Sequence, residues 1–270
     1  MLDKMIGFIG AGNMGSAMIG GILDASLVTT SQIIASAHSP ETLDKIRTKF
    51  SIETTQSNEV VAERSDILFL AVKPNKFAEV LPQIKDHLKP DCIVVSIAAG
   101  QPISNIEAIL GKIKLVRAMP NTPALVGAAM SALCPNDKVT AEEVKLIESL
   151  FNSFGRAEVV PESMMDAVVG VSGSSPAYVY MFIEAMADAA VADGMPRTQA
   201  YKFAAQSVFG AAKMVLETGK HPGELKDAVC SPGGTTIEAV AVLEHGGFRD
   251  TVISAQRACS KKSYDMSHNS

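Results

Sequence analysis

The stretch that decides the fold is Met5-Ile6-Gly7-Phe8-Ile9-Gly10-Ala11-Gly12-Asn13-Met14-Gly15. Its first five residues form an apolar run of strand length. From Met14 to Ala25 the apolar residues recur at helical spacing. The glycine pattern Gly10-x-Gly12-x-x-Gly15 therefore falls between a strand and a helix, the context in which it reads as a dinucleotide site. Gly10 permits the tight turn, Gly12 lets the backbone approach a pyrophosphate, and Gly15 lets helix and strand pack closely. The helix N-terminus adds a favourable field for the negative charge.

Working outward, Gln32–Ser36, Ile67–Val72, Cys92–Ile97 and Lys114–Met119 read as further strands, with Glu41–Phe50 and Asn105–Leu110 helical between them. Strands alternating with helices imply parallel βαβ units and a doubly wound sheet. The run Ile67-Leu68-Phe69-Leu70-Ala71-Val72 is apolar without alternation, as a strand buried on both faces must be. After Pro161 the pattern changes: Ala, Met, Leu and Val dominate at helical spacing and no β-rich run returns. Pro176–Asp193 reads as one long helix whose narrow polar stripe runs through Glu184 and Asp188. Helices this apolar need cover on most sides, and the last 110 or so residues are too few to cover themselves. A second copy of the chain is the expected cover. Glycine and proline at Gly194-Met195-Pro196, His221-Pro222-Gly223 and Gly246-Gly247 divide these helices.

Composition narrows the functional classes. The chain has 270 residues, 47% hydrophobic and 20% charged, and a net charge of −5 spread along its length. That suits a packed core and offers no basic stretch to track a nucleic-acid backbone. The longest strictly apolar runs, such as Ala177–Ile183, are far below the roughly 20 residues of a membrane helix. No signal or transit segment precedes the first strand, so a cytoplasmic protein is expected. Cys92, Cys134, Cys230 and Cys259 lie far apart and the five histidines form no cluster, so no metal is expected.

The end of the second strand bears on the choice of cofactor. An NAD site usually carries Asp or Glu there to bind the ribose hydroxyls. This chain has Ala35-Ser36-Ala37-His38-Ser39, with no acid before Glu41. A carboxylate would repel a 2′-phosphate, so its absence permits NADPH. Ser36 can donate to that phosphate and a protonated His38 would assist. Loose discrimination, with NADH also used, stays open.

Ala71-Val72-Lys73-Pro74-Asn75, Ser96-Ile97-Ala98-Ala99-Gly100 and Met119-Pro120-Asn121-Thr122-Pro123 fall at strand ends, where α/β sheets bind ligands. Ser231-Pro232-Gly233-Gly234-Thr235-Thr236 lies between two helical segments, the second starting near Thr235. Backbone N–H groups there, with two hydroxyls and no acid nearby, suit a small carboxylate. With Leu225 to Ile237 included, these segments make the chain resemble the pyrroline-5-carboxylate reductases essentially end to end, the Ser-Pro-Gly-Gly-x-Thr segment being the most specific part. Ser175, in Gly173-Ser174-Ser175-Pro176, departs from the family's usual glycine; it shifts the start of the long helix at most and removes no chemical group.

The resemblance implies an N-terminal Rossmann-type doubly wound parallel sheet (residues 1–161) and an all-helical dimerisation and substrate domain (162–270) that interleaves with its twofold mate, with rings of dimers in many members. It implies NADPH-dependent reduction of 1-pyrroline-5-carboxylate to L-proline. Cofactor contacts would fall on Gly10, Ala11, Gly12, Asn13, Met14, Gly15, Ser36, Asn58, Val72, Lys73 and Ala99. Substrate contacts would fall on Glu162, Thr235 and Thr236, with Ser231 and the Gly233-Gly234 backbone beside them. A protonated imine is already electrophilic, so the protein needs chiefly a hydroxyl or a water to manage the nitrogen's proton, and Thr236 is the candidate catalytic residue. Lys73 remains ambiguous between a ligand contact and a strand end.

Three alternatives are weighed against this. β-Hydroxyacid dehydrogenases share the domain order but carry an acid/base lysine on the first long helix of the second domain, and Gly170–Val191 holds no Lys, Arg or His. Other imine reductases need no lysine and are harder to exclude. An NADPH-binding regulatory paralogue would have lost the Ser231–Thr236 turn, which is present in full. Glu184 and Asp188 read as a solvated or interface stripe, and Cys230 as a small packing residue.

Overall fold

A computed structural model describes residues 2–268. They divide into two compact units, one of residues 2–174 with 259–268 and one of residues 175–258.

The first unit is built on an eight-stranded sheet of order β3-β2-β1-β4-β5-β6-β7-β8. The strands are β1 Ile6–Ile9, β2 Ile33–Ser36, β3 Glu53–Thr55, β4 Ile67–Leu70, β5 Ile93–Ser96, β6 Lys114–Met119, β7 Ala129–Pro135 and β8 Gly155–Val159. Between them lie α1 Asn13–Asp24, α2 Pro40–Phe50, α3 Asn58–Arg64, α4 Phe77–Ile84, α5 Ile103–Leu110 and α6 Ala141–Asn152. Local chemistry starts several of these helices. Ser39 precedes Pro40 and its Oγ accepts from the Thr42 N–H of α2. Ser57 caps α3, and Thr140 with Glu143 forms a reciprocal capping box on α6.

Strand residues alternate between two cores. Ile6, Phe8, Ile67, Phe69, Ile93 and Val95 face α1 and α6, where Met18, Ile22 and Phe151 meet them. Ile9, Leu68, Leu70 and Val94 face α3, α4 and α5, packing on Val61, Leu81, Ile84 and Ile106. β4 is fully buried on both faces, which is why its sequence shows no alternation. Phe8 and Phe69 stack across the β1–β4 pair with centroids 4.8 Å apart.

Every strand pairing but one is parallel; β7 runs antiparallel to β6. The connection between them is only the short 3₁₀ turn Thr122–Val126 and its flanks, too short for a crossover helix. β3, β7 and β8 are absent from the sequence-based assignment. β3 and β8 are short edge strands rich in polar residues, and β7 is made mostly of small residues and holds no β-branched one. After β8 the chain forms α7 Met165–Val168 and a π-helical turn Val169–Gly173.

The second unit holds α8 Ser175–Ala192, α9 Arg197–Thr218, α10 Pro222–Val229, α11 Thr235–His245 and the first half of α12 Phe248–His268. The breaks at Gly194-Met195-Pro196 and Gly246-Gly247 fall where the sequence put them, His221-Pro222-Gly223 opens α10 just after the break at Gly219, and α8 begins at Ser175 itself. Ala187, Ala200 and Ala204, where α8 meets α9, are the only buried residues of this unit among those described. Three alanines cannot make a core. Phe182, Phe203, Phe209, Met181, Val242 and Ile253 instead stand exposed, an apolar surface of the kind that marks a protein interface.

Candidate functional site

The carboxyl ends of β1 and β4 meet where the strand order reverses, the position at which open α/β sheets bind ligands. Gly10 stands there with φ of +95°. A Cβ on it would lie 2.7 Å from the Ala71 carbonyl oxygen at the end of β4. A Cβ on Gly15 would lie 2.5 Å from the Gly10 carbonyl oxygen, so both positions exclude a side chain. Gly12 differs: nothing lies within 4 Å of its would-be Cβ. It is the N-cap of α1 and supplies no capping side chain, so the first-turn N–H groups face open space. Gly12 and Asn13 are exposed, Met14 is half-buried and Ala11 is buried under the turn. That cradle fits a pyrophosphate.

Beside it lies a crevice of about 220 Å³ lined by Gly10, His38, Asn58, Val72 and Gln83. The structure thus brings Asn58 and Val72 to the glycine turn. Ser36 is wholly buried at the end of β2; its carbonyl accepts the Gly10 N–H at 3.0 Å, and its hydroxyl donates to Asn58 Oδ1 at 2.7 Å. Asn58 in turn donates to Gln83 Oε1 at 2.8 Å. Ser36 therefore meets a 2′-phosphate as a donor only by turning its proton away from Asn58. Lys73 is exposed and caps the short 3₁₀ turn Pro74–Lys76. Ala99 is half-buried beyond the end of β5.

Glu162 is half-buried just after β8. Its Oε1 accepts the Ile103 N–H at 2.8 Å and the Arg117 guanidinium at 3.0 Å. Arg117 has no counterpart in the sequence-based assignment. A lone arginine inside an apolar strand, Lys114-Leu115-Val116-Arg117-Ala118-Met119, was the available signal. Asn121 is structural: its amide donates to the Ser172 carbonyl at 3.0 Å and its Oδ1 accepts the Met130 N–H at 2.9 Å, tying the end of β6 to β7 and the π-helical turn.

In the second unit the turn Ser231–Gly234 leads into α11. Gly233 has φ of +67°, and the Gly234 N–H donates to the Ser231 carbonyl at 3.0 Å. Gly234 caps α11 without a side chain, leaving the N–H groups of Thr235 and Thr236 at an uncapped helix start. Ser231, Gly233 and Thr235 are exposed, while Gly234 and Thr236 are half-buried. One reading of this turn needs correction: Glu238 stands in the first turn of α11, so the segment does have an acid nearby. Asp188 pairs with Arg197, which accounts for that part of the α8 stripe. Burial raises the Cys92 thiol pKa to about 12 and also raises that of Cys134, so neither is a ready nucleophile.

Known proteins match nearly the full length of the chain. A family model described as pyrroline-5-carboxylate reductase dimerisation matches residues 162–266, and one described as NADP oxidoreductase, coenzyme F420-dependent, matches residues 5–100. The pyrroline-5-carboxylate reductase of Escherichia coli K12 is 55% identical, over 98% of this chain and 99% of its own. Among solved structures, a pyrroline-5-carboxylate reductase from Coxiella burnetii superposes with a TM-score of 0.93 at 35% identity, covering 98% of this chain and 99% of its own. The pyrroline carboxylate reductase of Plasmodium falciparum, solved with NADP bound, gives 0.89 at 34%, covering 99% of each chain. With its dinucleotide cradle, its uncapped Ser231–Thr236 turn and relatives that match from end to end, the chain belongs to the pyrroline-5-carboxylate reductase family.

Proposed function

We propose that this chain reduces 1-pyrroline-5-carboxylate to L-proline with NADPH, the last step of proline biosynthesis. The observation that carries the reading is the intact Ser231–Thr236 turn at the uncapped start of α11, in a chain that matches its relatives over almost its full length. When bound, NADPH supplies the hydride that adds to the C=N carbon of the ring.

The protein's own share is binding, placement and proton management. The Gly10–Gly15 turn holds the pyrophosphate through the N–H groups of α1. Asn58 meets the adenosine end, held in place from behind by the buried Ser36 hydroxyl, and Val72, Lys73 and Ala99 line the rest of the cofactor's path. Ser231, the Gly233-Gly234 backbone and Thr235 hold the substrate carboxylate, and Glu162 contributes a polar contact. Thr236 hydrogen-bonds the ring nitrogen and holds its proton. NADPH is preferred to NADH because no carboxylate stands at the end of β2.

In this reading the cofactor domain is residues 1–161 and the dimerisation and substrate domain residues 162–270; the dimerisation family match over 162–266 supports it, although the compact units divide at 174/175 and 258/259. The helical region pairs two copies into an interleaved dimer, and dimers assemble further into a ring. The exposed apolar residues of α8, α9, α11 and α12 support the pairing. No described helix is long and apolar enough to cross a membrane, and the enzyme works in the cytoplasm.

The test is loss of NADPH absorbance on adding 1-pyrroline-5-carboxylate, with proline identified as the product. Tight NADPH binding without turnover would instead make the chain a cofactor-binding regulatory protein.

A further inference from the structure

Arg117 is the least economical residue of the first unit. It sits in the middle of β6, between Ser96 of β5 and Cys134 of β7, and only 3% of it is exposed. Its neighbours along the strand on the same face are Leu115 and Met119, both buried. Among the described residues it makes one ion pair, Nη1 to Glu162 Oε1 at 3.0 Å. Its Nε is buried with no hydrogen-bond partner among the described residues. A buried ion pair adds little to stability, and an apolar residue of similar size commonly packs as well or better. An orphaned guanidinium nitrogen makes the stability case weaker still. The residue therefore needs another reason to be there.

Glu162 supplies it. Both bonds that Glu162 accepts, from Arg117 and from the Ile103 N–H, converge on Oε1. Its side chain is 37% exposed, against 4% for that of Arg117. The carboxylate is thus held from behind at one oxygen, by a group that cannot swing away, while the other oxygen remains on the accessible side. The Cys134 thiol senses both charges of the pair. We propose that Arg117 is a positioning residue for substrate binding: it fixes the Glu162 carboxylate so that Oε2 is presented to the imine substrate, and it balances the carboxylate's charge so that an anionic ring acid is not repelled. The proposal rests on the assignment of Glu162 as a substrate contact.

The experiment is a double-mutant cycle in the full-length enzyme on R117M, R117K, E162Q and R117M/E162Q, with KM measured separately for the imine and for NADPH. R117M should raise the imine KM tenfold or more and leave the NADPH KM within about twofold. R117K, which keeps a cation but not the planar fork, should recover part of the loss. In the E162Q background the R117M effect on imine KM should shrink to threefold or less, because the group it positions is gone. Equal effects of R117M in both backgrounds, or parallel rises in both KM values, would make Arg117 a structural residue and overturn the proposal. So would wild-type kinetics in R117M. Unchanged imine KM in E162Q alone would instead remove Glu162 from the substrate site, a failure of the underlying assignment seen without any Arg117 variant, and the proposal would go with it. If R117M does not accumulate as folded protein, R117K carries the same cycle: a loss confined to imine KM supports the proposal, and a loss shared with NADPH refutes it.

Discussion

Adding one methyl group at Gly12 and at Gly10 separates cofactor binding from folding. At Gly12 the new Cβ meets no protein atom within 4 Å, and the backbone φ of −71° is ordinary for alanine. The fold should lose no more than about 1 kcal/mol, the difference between glycine and alanine as a helix N-cap. Over a unit of this size that lowers Tm by less than about 4 °C. The methyl does occupy the space a pyrophosphate must enter, however. Forcing a phosphate oxygen off one N–H forfeits a charge-assisted bond of about 1.5–3 kcal/mol, or roughly a 10- to 150-fold loss of NADPH affinity. At Gly10 the same methyl must adopt φ of +95° and lies 2.7 Å from a backbone carbonyl that belongs to β4. Strain of this kind costs on the order of 1–3 kcal/mol before the overlap is relieved. A total of about 3 kcal/mol lowers Tm by roughly 6–12 °C. The assays are calorimetric titration with NADPH and thermal melts without it. Wild-type NADPH affinity in G12A, or a Tm loss in G12A as large as in G10A, would refute the assignment of Gly12 to the pyrophosphate.

Other outcomes follow from individual contacts. Thr236→Ala should lower kcat/KM for the imine tenfold or more while NADPH binding stays unchanged, and Thr236→Ser should keep most of the activity; unaltered kinetics in T236A would remove the hydroxyl from the mechanism. Burial pushes the Asp66 pKa up, but the Met5 N–H at 2.8 Å, Lys89 at 2.9 Å and the charge of Lys4 together hold it below the ordinary value. The stability this brings is present above the unfolded-state pKa of about 4 and is lost as pH falls through the folded value. Asp66→Asn should therefore melt a few degrees below wild type at pH 7, and the gap should close in acid; a gap that persists at about pH 2 would contradict this. Phe203→Asp places a charge on the exposed apolar surface of α9 and should reduce the particle mass seen by light scattering. An unchanged mass would move the interface elsewhere.

Several features could be read from residues alone because they are local. A glycine that must take positive φ, an apolar run without alternation, and glycine or proline between amphipathic segments all report on the few residues around them. The first dinucleotide turn, β4, β6 and the breaks between α8 and α12 were legible in this way. β3 and β8 were not: edge strands of polar residues are strands only because a neighbour offers a free edge. β7 was missed because its residues are small, and its direction is dictated by the length of the turn before it. Met119-Pro120-Asn121-Thr122-Pro123 stood at a strand end where ligands bind, yet the Asn121 amide is spent between Ser172 and Met130.

By itself the sequence determined the class of fold and its cofactor turn, since both rest on short-range rules of backbone conformation and hydrophobic period. It also determined the resemblance to a family whose substrate is a carboxylated imine. Only the tertiary structure decided which side chains answer one another. Ser36 and Asn58 are 22 positions apart, and Arg117 and Glu162 are 45. No local rule couples such pairs; Ser36 and Asn58 meet because the end of a strand and the start of a later helix come to one edge of the sheet, and Arg117 and Glu162 meet because a buried charge must find its partner wherever the fold provides one.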